Sequence, residues 1–446
     1  MTDKILIKHA RIVNEGQIQE ADVLLRQGRI AQIATAITAD HTMQVCDAEG
    51  LYLLPGMIDD QVHFREPGFT HKADIATESR AALAGGITSF FEMPNTQPQT
   101  TSCAALEAKF ALAADRAWGN YAFYLGATND NIDEIRRLQP GQTCGIKVFM
   151  GASTGNMLVD APDTLEQIFR DAPTLIATHC EDTPTVQANE ARYRAQYGAE
   201  IPVQYHPDIR SEEACWRSSS MAVALAKQHG TRLHVLHLTT ARELSLFQLG
   251  PVEGKQITSE ACVHHLYFSA EDYAERGSLI KCNPAIKQAS DRAALRQALA
   301  EDRLDVIATD HAPHTWEEKQ RTDYFQTPAG LPLVQHAVPM ALELVAAGSL
   351  TLTQVVHKMA HAPALLFGIQ ERGFIREGYQ ADLILVDPTL SSPVQRDQVL
   401  YKCGWTPLEG ATLQHQVVQT YVNGELKYDR GQFIGLPNGQ RLSFRA

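Results

Sequence analysis

"PGMIDDQVHFREPG", residues 55–68, opens on apolar residues and closes in turn chemistry. Between them, Asp59, Gln61, His63 and Arg65 occupy alternate positions. Alternate side chains of a β-strand share one face. The spacing therefore predicts a strand that carries an acid, an amide, an imidazole and a guanidinium on one side. Seven more apolar or β-branched runs follow: "TSFFEMPN", "YAFYLGAT", "GIKVFM", "LIATHCE", "RLHVLHLT", "QITSEACVHH" and "DVIATDHAPH". Helical stretches separate many of them, such as "TESRAALAGG", where Gly85-Gly86 supplies a stop. Eight strand–helix units within roughly 250–300 residues match a (β/α)8 TIM barrel. Polar groups recur near the C-terminal ends of the runs: His63, Asn95, Lys147, His179, His237 and Asp310. That is the end of such a barrel that carries chemistry. A doubly wound open sheet is the structural runner-up, but no Gly-rich phosphate fingerprint follows any run.

Both ends of the chain read as β-structure. "KILIKHARIVNEGQIQEADVLLRQGRIAQIA" is broken by the turn sequences "NEGQ" and "RQGR". Near the other end, "ADLILVDP" and "VVQTYVNGELKYDRGQFI" repeat the style, and Asn423-Gly424 is a hairpin signal. The expected organisation is a small β-sandwich-like domain built from both termini, residues 1–54 and 371–446, around a barrel of residues 55–370. With 44% hydrophobic and 20% charged residues, the chain of 446 can bury a large core. A net charge of -13 argues against a nucleic-acid partner and leaves room for a small anionic substrate held by local groups. The eight scattered cysteines contain no Cys-x-x-Cys pair and read as reduced thiols. No signal-peptide core or membrane-spanning run is visible, so a cytoplasmic protein with no membrane partner is expected.

Imidazole and carboxylate are the usual ligands of zinc and similar ions. His63, His179, His237 and Asp310 end four different runs, and in a closed barrel four such ends converge on the axis. His234 lies three residues before His237, so strand alternation sends the two to opposite faces. His237 is assigned to the bore and His234 to the helix-facing layer. Lys147 sits inside an apolar run, where a charged ammonium is costly. It either snorkels to solvent or is held neutral by burial. A neutral amine can take up carbon dioxide as a carbamate, an anion able to bridge two metals.

These blocks, with "KVFMGAST", "KCNPAIK" and the closing "FGIQERGFIREGYQADLILVDP", resemble in order those of the dihydroorotases of the cyclic amidohydrolase superfamily. The resemblance spans nearly the whole chain. It implies one or two zinc ions held by His63, Lys147 as the carbamate, His179, His237 and Asp310. It also implies Arg65, Asn95, Asn283 and His314 as substrate contacts, with backbone groups of Ala329 and Gly330 meeting the ring. His264, His265 and His311 fall in matching blocks and are assigned no ligand role. Gln61 departs from the pattern, which has a His there. A Gln can coordinate weakly, hydrogen-bond to water beside the metal, or leave the first metal position empty or partly filled.

The implied reaction is reversible cyclisation of N-carbamoyl-L-aspartate to L-dihydroorotate in pyrimidine synthesis. Asp310 would take and return the proton, and Arg65 would pair with the substrate carboxylate. A hydantoinase- or allantoinase-like hydrolase is the first alternative, and Arg65 favours dihydroorotase over it. A noncatalytic partner of aspartate transcarbamoylase is the second. A homodimer and an association with aspartate transcarbamoylase are the partner expectations.

Overall fold

The computed structural model describes residues 4–151 and 157–445; the last three residues of the "KVFMGAST" block lie outside them. Eight runs form the eight barrel strands in the expected order. They are Met57–Val62, Ile87–Glu92, Asn120–Phe123, Ile146–Phe149, Ile176–His179, Leu233–Val235, Ile257–Cys262 and Val306–Ala308. Neighbours pair in parallel, with Leu125–Gly126 carrying the third strand on to the fourth. The seam between the eighth strand and the first is bridged by His63, whose N–H donates to His311 O at 2.7 Å.

Both faces of these strands are covered, which is why they read as continuous apolar runs rather than alternating ones. Val148, Ile176, Val235 and Ile307 pack outward under the helices. Ile58, Phe91, Tyr124, Ala177, Leu236 and Val306 fill the bore together with Phe367 from the helix Ala362–Phe367. The helix Ile75–Ala84 starts where the Asp74 carboxylate accepts the Thr77 N–H at 2.9 Å. It stops at Gly85, where a Cβ would stand 1.8 Å from Val334 O.

The first strand does not keep strict alternation. Its register against the second strand shifts between Asp59 and Val62, the signature of a β-bulge. Asp60 and Gln61 consequently both face the bore. Asp59 turns instead to the eighth-strand side, where its carboxylate accepts the Thr309 N–H (3.2 Å) and hydroxyl (2.5 Å). The expectation that Asp59 shares the face of Gln61, His63 and Arg65 is corrected on this point.

The two chain ends meet in one nine-stranded sheet. Tyr52–Pro55 pairs antiparallel with Leu383–Pro393 on one side and parallel with Lys4–Asn14 on the other. The Asn423-Gly424 hairpin forms as expected, with φ of 50° and 77° at its two central residues. Asp382 ties sheet to barrel. Its carboxylate takes the buried Arg372 guanidinium, the Asn120 side-chain amide of the third barrel strand (3.1 Å) and the Asn423 N–H (2.8 Å). All eight cysteines are free thiols. Among the described residues, no helix is long and apolar enough to cross a membrane.

Breaking a buried ion pair by removing one partner strands the other charge. Asp382→Ala is therefore expected to cost about 3–5 kcal/mol, read as a lowered urea midpoint with unchanged circular dichroism below the transition.

Candidate active site

One pocket opens at the C-terminal ends of the barrel strands. It is lined by Gln61, His63, Arg65, Asn95, Lys147, His179, His237, Asn283, Asp310, Ala329 and Gly330, with Phe149 and Ala312 between them. Of the residues expected to hold metal or substrate, His314 alone stands outside it. It lines an adjoining cavity that shares Arg65 and Asn95 and adds Lys72.

Three of the non-glycine lining residues, Arg65, His237 and Asp310, have positive φ (68°, 39° and 48°). Non-glycine residues pay for that conformation, and each occurrence follows the end of a barrel strand. His237 lies two residues past Val235, the last residue of its strand. The alternation that sent His234 outward therefore does not apply. His234 lies in the bore, 3.3 Å from Asp60 on the non-adjacent first strand.

Imidazole nitrogens and a carboxylate converge in the pocket. Burial lowers the His63 pKa, against the raising effect of its contact with Asp310. Its Nδ1 bonds Asn95 Oδ1 at 2.8 Å, and its Nε2 stands 3.2 Å from Asp310 Oδ1. On the far wall, His179 Nε2–H donates to Glu181 Oε2 at 3.0 Å. His179 Nδ1 shares a hydrogen bond with His237 Nε2 at 3.1 Å. Burial, helped by the charges of His179 and Lys147, pushes the His237 pKa well down, and its Nδ1 has no hydrogen-bond partner. Each of these contacts sets two potential ligand atoms 3.1–3.2 Å apart. The donor set of imidazoles, carboxylate and buried amine thus fits a metal ion.

Lys147 lies between the two groups, fully buried, and burial brings its pKa down to about 8. A substantial share of neutral amine near physiological pH follows. Burial by itself raises the Asp310 pKa, but the His63 hydrogen bond and the charges of His63 and Lys147 outweigh it and hold the group as a carboxylate. Gln61 turns its NH2 to Asp310 Oδ1 (3.2 Å) and its oxygen to the Cys262 thiol (3.8 Å). In this orientation it donates toward the site.

The Arg65 side of the pocket is equally built. Arg65 Nε donates to Pro313 O (3.0 Å) and Nη2 lies 3.0 Å from His314 Nε2. Sequence reading missed two supporting residues. Glu181 braces His179, and Arg210 holds Glu181 at 2.6 Å. Against burial, which raises it, the Arg210 charge and the His179 hydrogen bond keep the Glu181 carboxyl far below the usual range. In the amide orientation that satisfies its neighbours, Asn283 accepts from Arg210 Nη2 at 3.2 Å. Glu181 was discoverable, two residues after His179; Arg210 comes from a distant loop and left no local signal. His311 is structural, pairing with Glu78 at 2.9 Å and accepting the Leu333 N–H.

This fold and this constellation agree with what the chain resembles. The amidohydrolase family model matches residues 52–427, and the chain belongs to the amidohydrolase family. It is 33% identical to a dihydroorotase of Methanosarcina acetivorans over 91% of this chain and 88% of that one. It is 30% identical to an allantoinase of Bacillus velezensis, covering 97% and 95%. The solved L-hydantoinase of Arthrobacter aurescens superposes with a TM-score of 0.92 at 26% identity, covering 99% of this chain and all of that one. The chain is accordingly an enzyme of the amidohydrolase class, with relatives named for three cyclic-amide reactions.

Gly330 has φ of 143°, and a Cβ there would stand 2.4 Å from Ala312 O and 3.0 Å from the His314 ring. Gly330→Ala is expected to cost about 1–3 kcal/mol in backbone strain and to displace this wall of the pocket, read together by thermal melting and by crystallography.

Proposed function

We propose that the chain is a dihydroorotase, catalysing reversible ring closure of N-carbamoyl-L-aspartate to L-dihydroorotate in pyrimidine synthesis. The observation that carries this choice is Arg65. Its guanidinium is buried at the pocket wall and held in place through Nε and Nη2. Such a group suits a substrate bearing a carboxylate, and dihydroorotate bears one. The identity to curated dihydroorotases over most of the chain supports the same choice.

His63, Lys147, His179, His237 and Asp310 would hold one or two zinc ions, with Lys147 as the bridging carbamate. When bound, zinc polarises a carbonyl and makes water acidic enough to attack near neutral pH. The remaining roles belong to the chain. Asp310, kept as a carboxylate, accepts a proton from water during ring opening and returns it to the departing ring nitrogen. Gln61 donates to Asp310 and orients it. Asn95 sets the His63 tautomer through its oxygen and has its NH2 left for substrate. Arg65 and His314 take the carboxylate, while Asn283 and the backbone at Ala329 and Gly330 meet the ring. Arg210 and Glu181 position His179. The same reading makes the protein a cytoplasmic homodimer, with aspartate transcarbamoylase as its candidate partner.

Zinc-dependent opening of dihydroorotate by the purified protein is the direct test. Turnover on hydantoin or allantoin in its place would transfer the assignment to those relatives. Asp310→Asn is expected to keep part of its metal and to lose about 10²–10⁴-fold in turnover; near-normal turnover would remove the proton-shuttling role. Arg65→Gln should act mainly on KM, raising it roughly 10- to 100-fold, in line with hydrogen bonds to charged groups. An unchanged KM for dihydroorotate would refute the carboxylate contact.

A further inference from the structure

Beneath the pocket, toward the N-terminal end of the bore, lies a second group of ligand atoms. Asp60 comes from the first barrel strand, His234 from the sixth and Glu260 from the seventh. Their ligand atoms all fall within 4.8 Å of one another. All three residues have no solvent exposure. His234 Nε2 stands 3.2 Å from Glu260 Oε2 and 3.3 Å from Asp60 Oδ2. Neither Asp60 carboxylate oxygen has a hydrogen-bond partner. Tyr124 OH donates to the Asp60 carbonyl at 3.0 Å, and not to its carboxylate. Ile58, Tyr124, Leu236 and Phe367 surround the group with apolar surface.

Two carboxylates and one imidazole carry a net negative charge unless protons are taken up to neutralise it. Even when they are, both Asp60 oxygens stay buried without a hydrogen-bond partner, which buried carboxylates rarely tolerate. One divalent cation balances the charge and satisfies those oxygens together. The spacing also suits one: ligand atoms about 2.0–2.2 Å from a tetrahedral ion stand roughly 3.4 Å apart. The Thr258 hydroxyl, 2.8 Å from His234 Nδ1, gives the ring the outer contact that metal-bound imidazoles have.

We propose that Asp60, His234 and Glu260 form a separate structural site for a divalent cation of the manganese or zinc type. The bulge at Asp60-Gln61 creates it, because consecutive residues then reach two levels of the bore. Its occupant braces the catalytic level from below. Glu260 Oε1 accepts the backbone N–H of His237 at 3.1 Å, at the turn where His237 has positive φ.

Crystals of the full chain grown with manganese chloride, measured for anomalous scattering above the manganese edge, give the test. A peak enclosed by Asp60, His234 and Glu260 is expected, resolved from any peak beside His179 and His237. Asp60→Asn should lose one equivalent of manganese per chain by mass spectrometry while keeping the metal at the pocket. A peak beside His179 and His237 with none among the three residues would overturn the proposal. So would an unchanged metal count in a folded Asp60→Asn. Because location and stoichiometry are read, the result stands apart from the substrate assignment: an occupied deep site in a protein inactive on dihydroorotate would still support it.

Discussion

Imidazoles and carboxylates crowd together in the bore of this barrel, ring nitrogen against ring nitrogen or oxygen. His63 Nε2 meets Asp310 at 3.2 Å, and His179 Nδ1 meets His237 Nε2 at 3.1 Å. Each ring is pinned from behind, His63 by Asn95 and His179 by Glu181, with Arg210 pinning Glu181 in turn. The surrounding packing holds these groups in place, so the pocket is formed before any ligand arrives. The positive φ at Arg65, His237 and Asp310 expresses the same constraint in the backbone.

The two sides of the pocket differ in physical character. One wall offers lone pairs to a cation; the other offers the fixed guanidinium of Arg65, with Lys72 and His314 behind it. Lys72 bonds His314 Nδ1 at 3.1 Å and Glu318 at 2.8 Å. The acidic chain as a whole repels anions, so the anionic substrate proposed above needs a local attraction. Burial strengthens it, because few water dipoles remain to screen Arg65.

The barrel was legible in the sequence because its strands are buried on both faces and six of the eight carry a polar residue of a telling kind within or near their C-terminal ends. His63, Lys147, His179, His237 and Asp310 could be named on that basis alone, and all of them line one pocket. What failed was local phase. Alternation holds only while a strand stays regular, and neither the bulge at Asp60-Gln61 nor the early end of the sixth strand at Val235 has a compositional mark. Asp59 and His234 were misplaced for that reason. Arg210 was invisible for another: its importance lies in a contact with Glu181 made only after the chain has folded. Gln61 could be seen as a departure from the family pattern, but its orientation toward Asp310 depends on Cys262, 201 residues away.

The sheet that joins the two chain ends also sets an order of events during synthesis. Leu53 pairs with Leu385, and Asn14 holds the backbone of Ile375. The N-terminal strands emerge from the ribosome first, with apolar faces and an open edge that only residues beyond 380 can cover. Until then the nascent chain exposes a sticky half-sheet. Long-range closure of this kind leaves the edge of the growing sheet uncovered for most of translation.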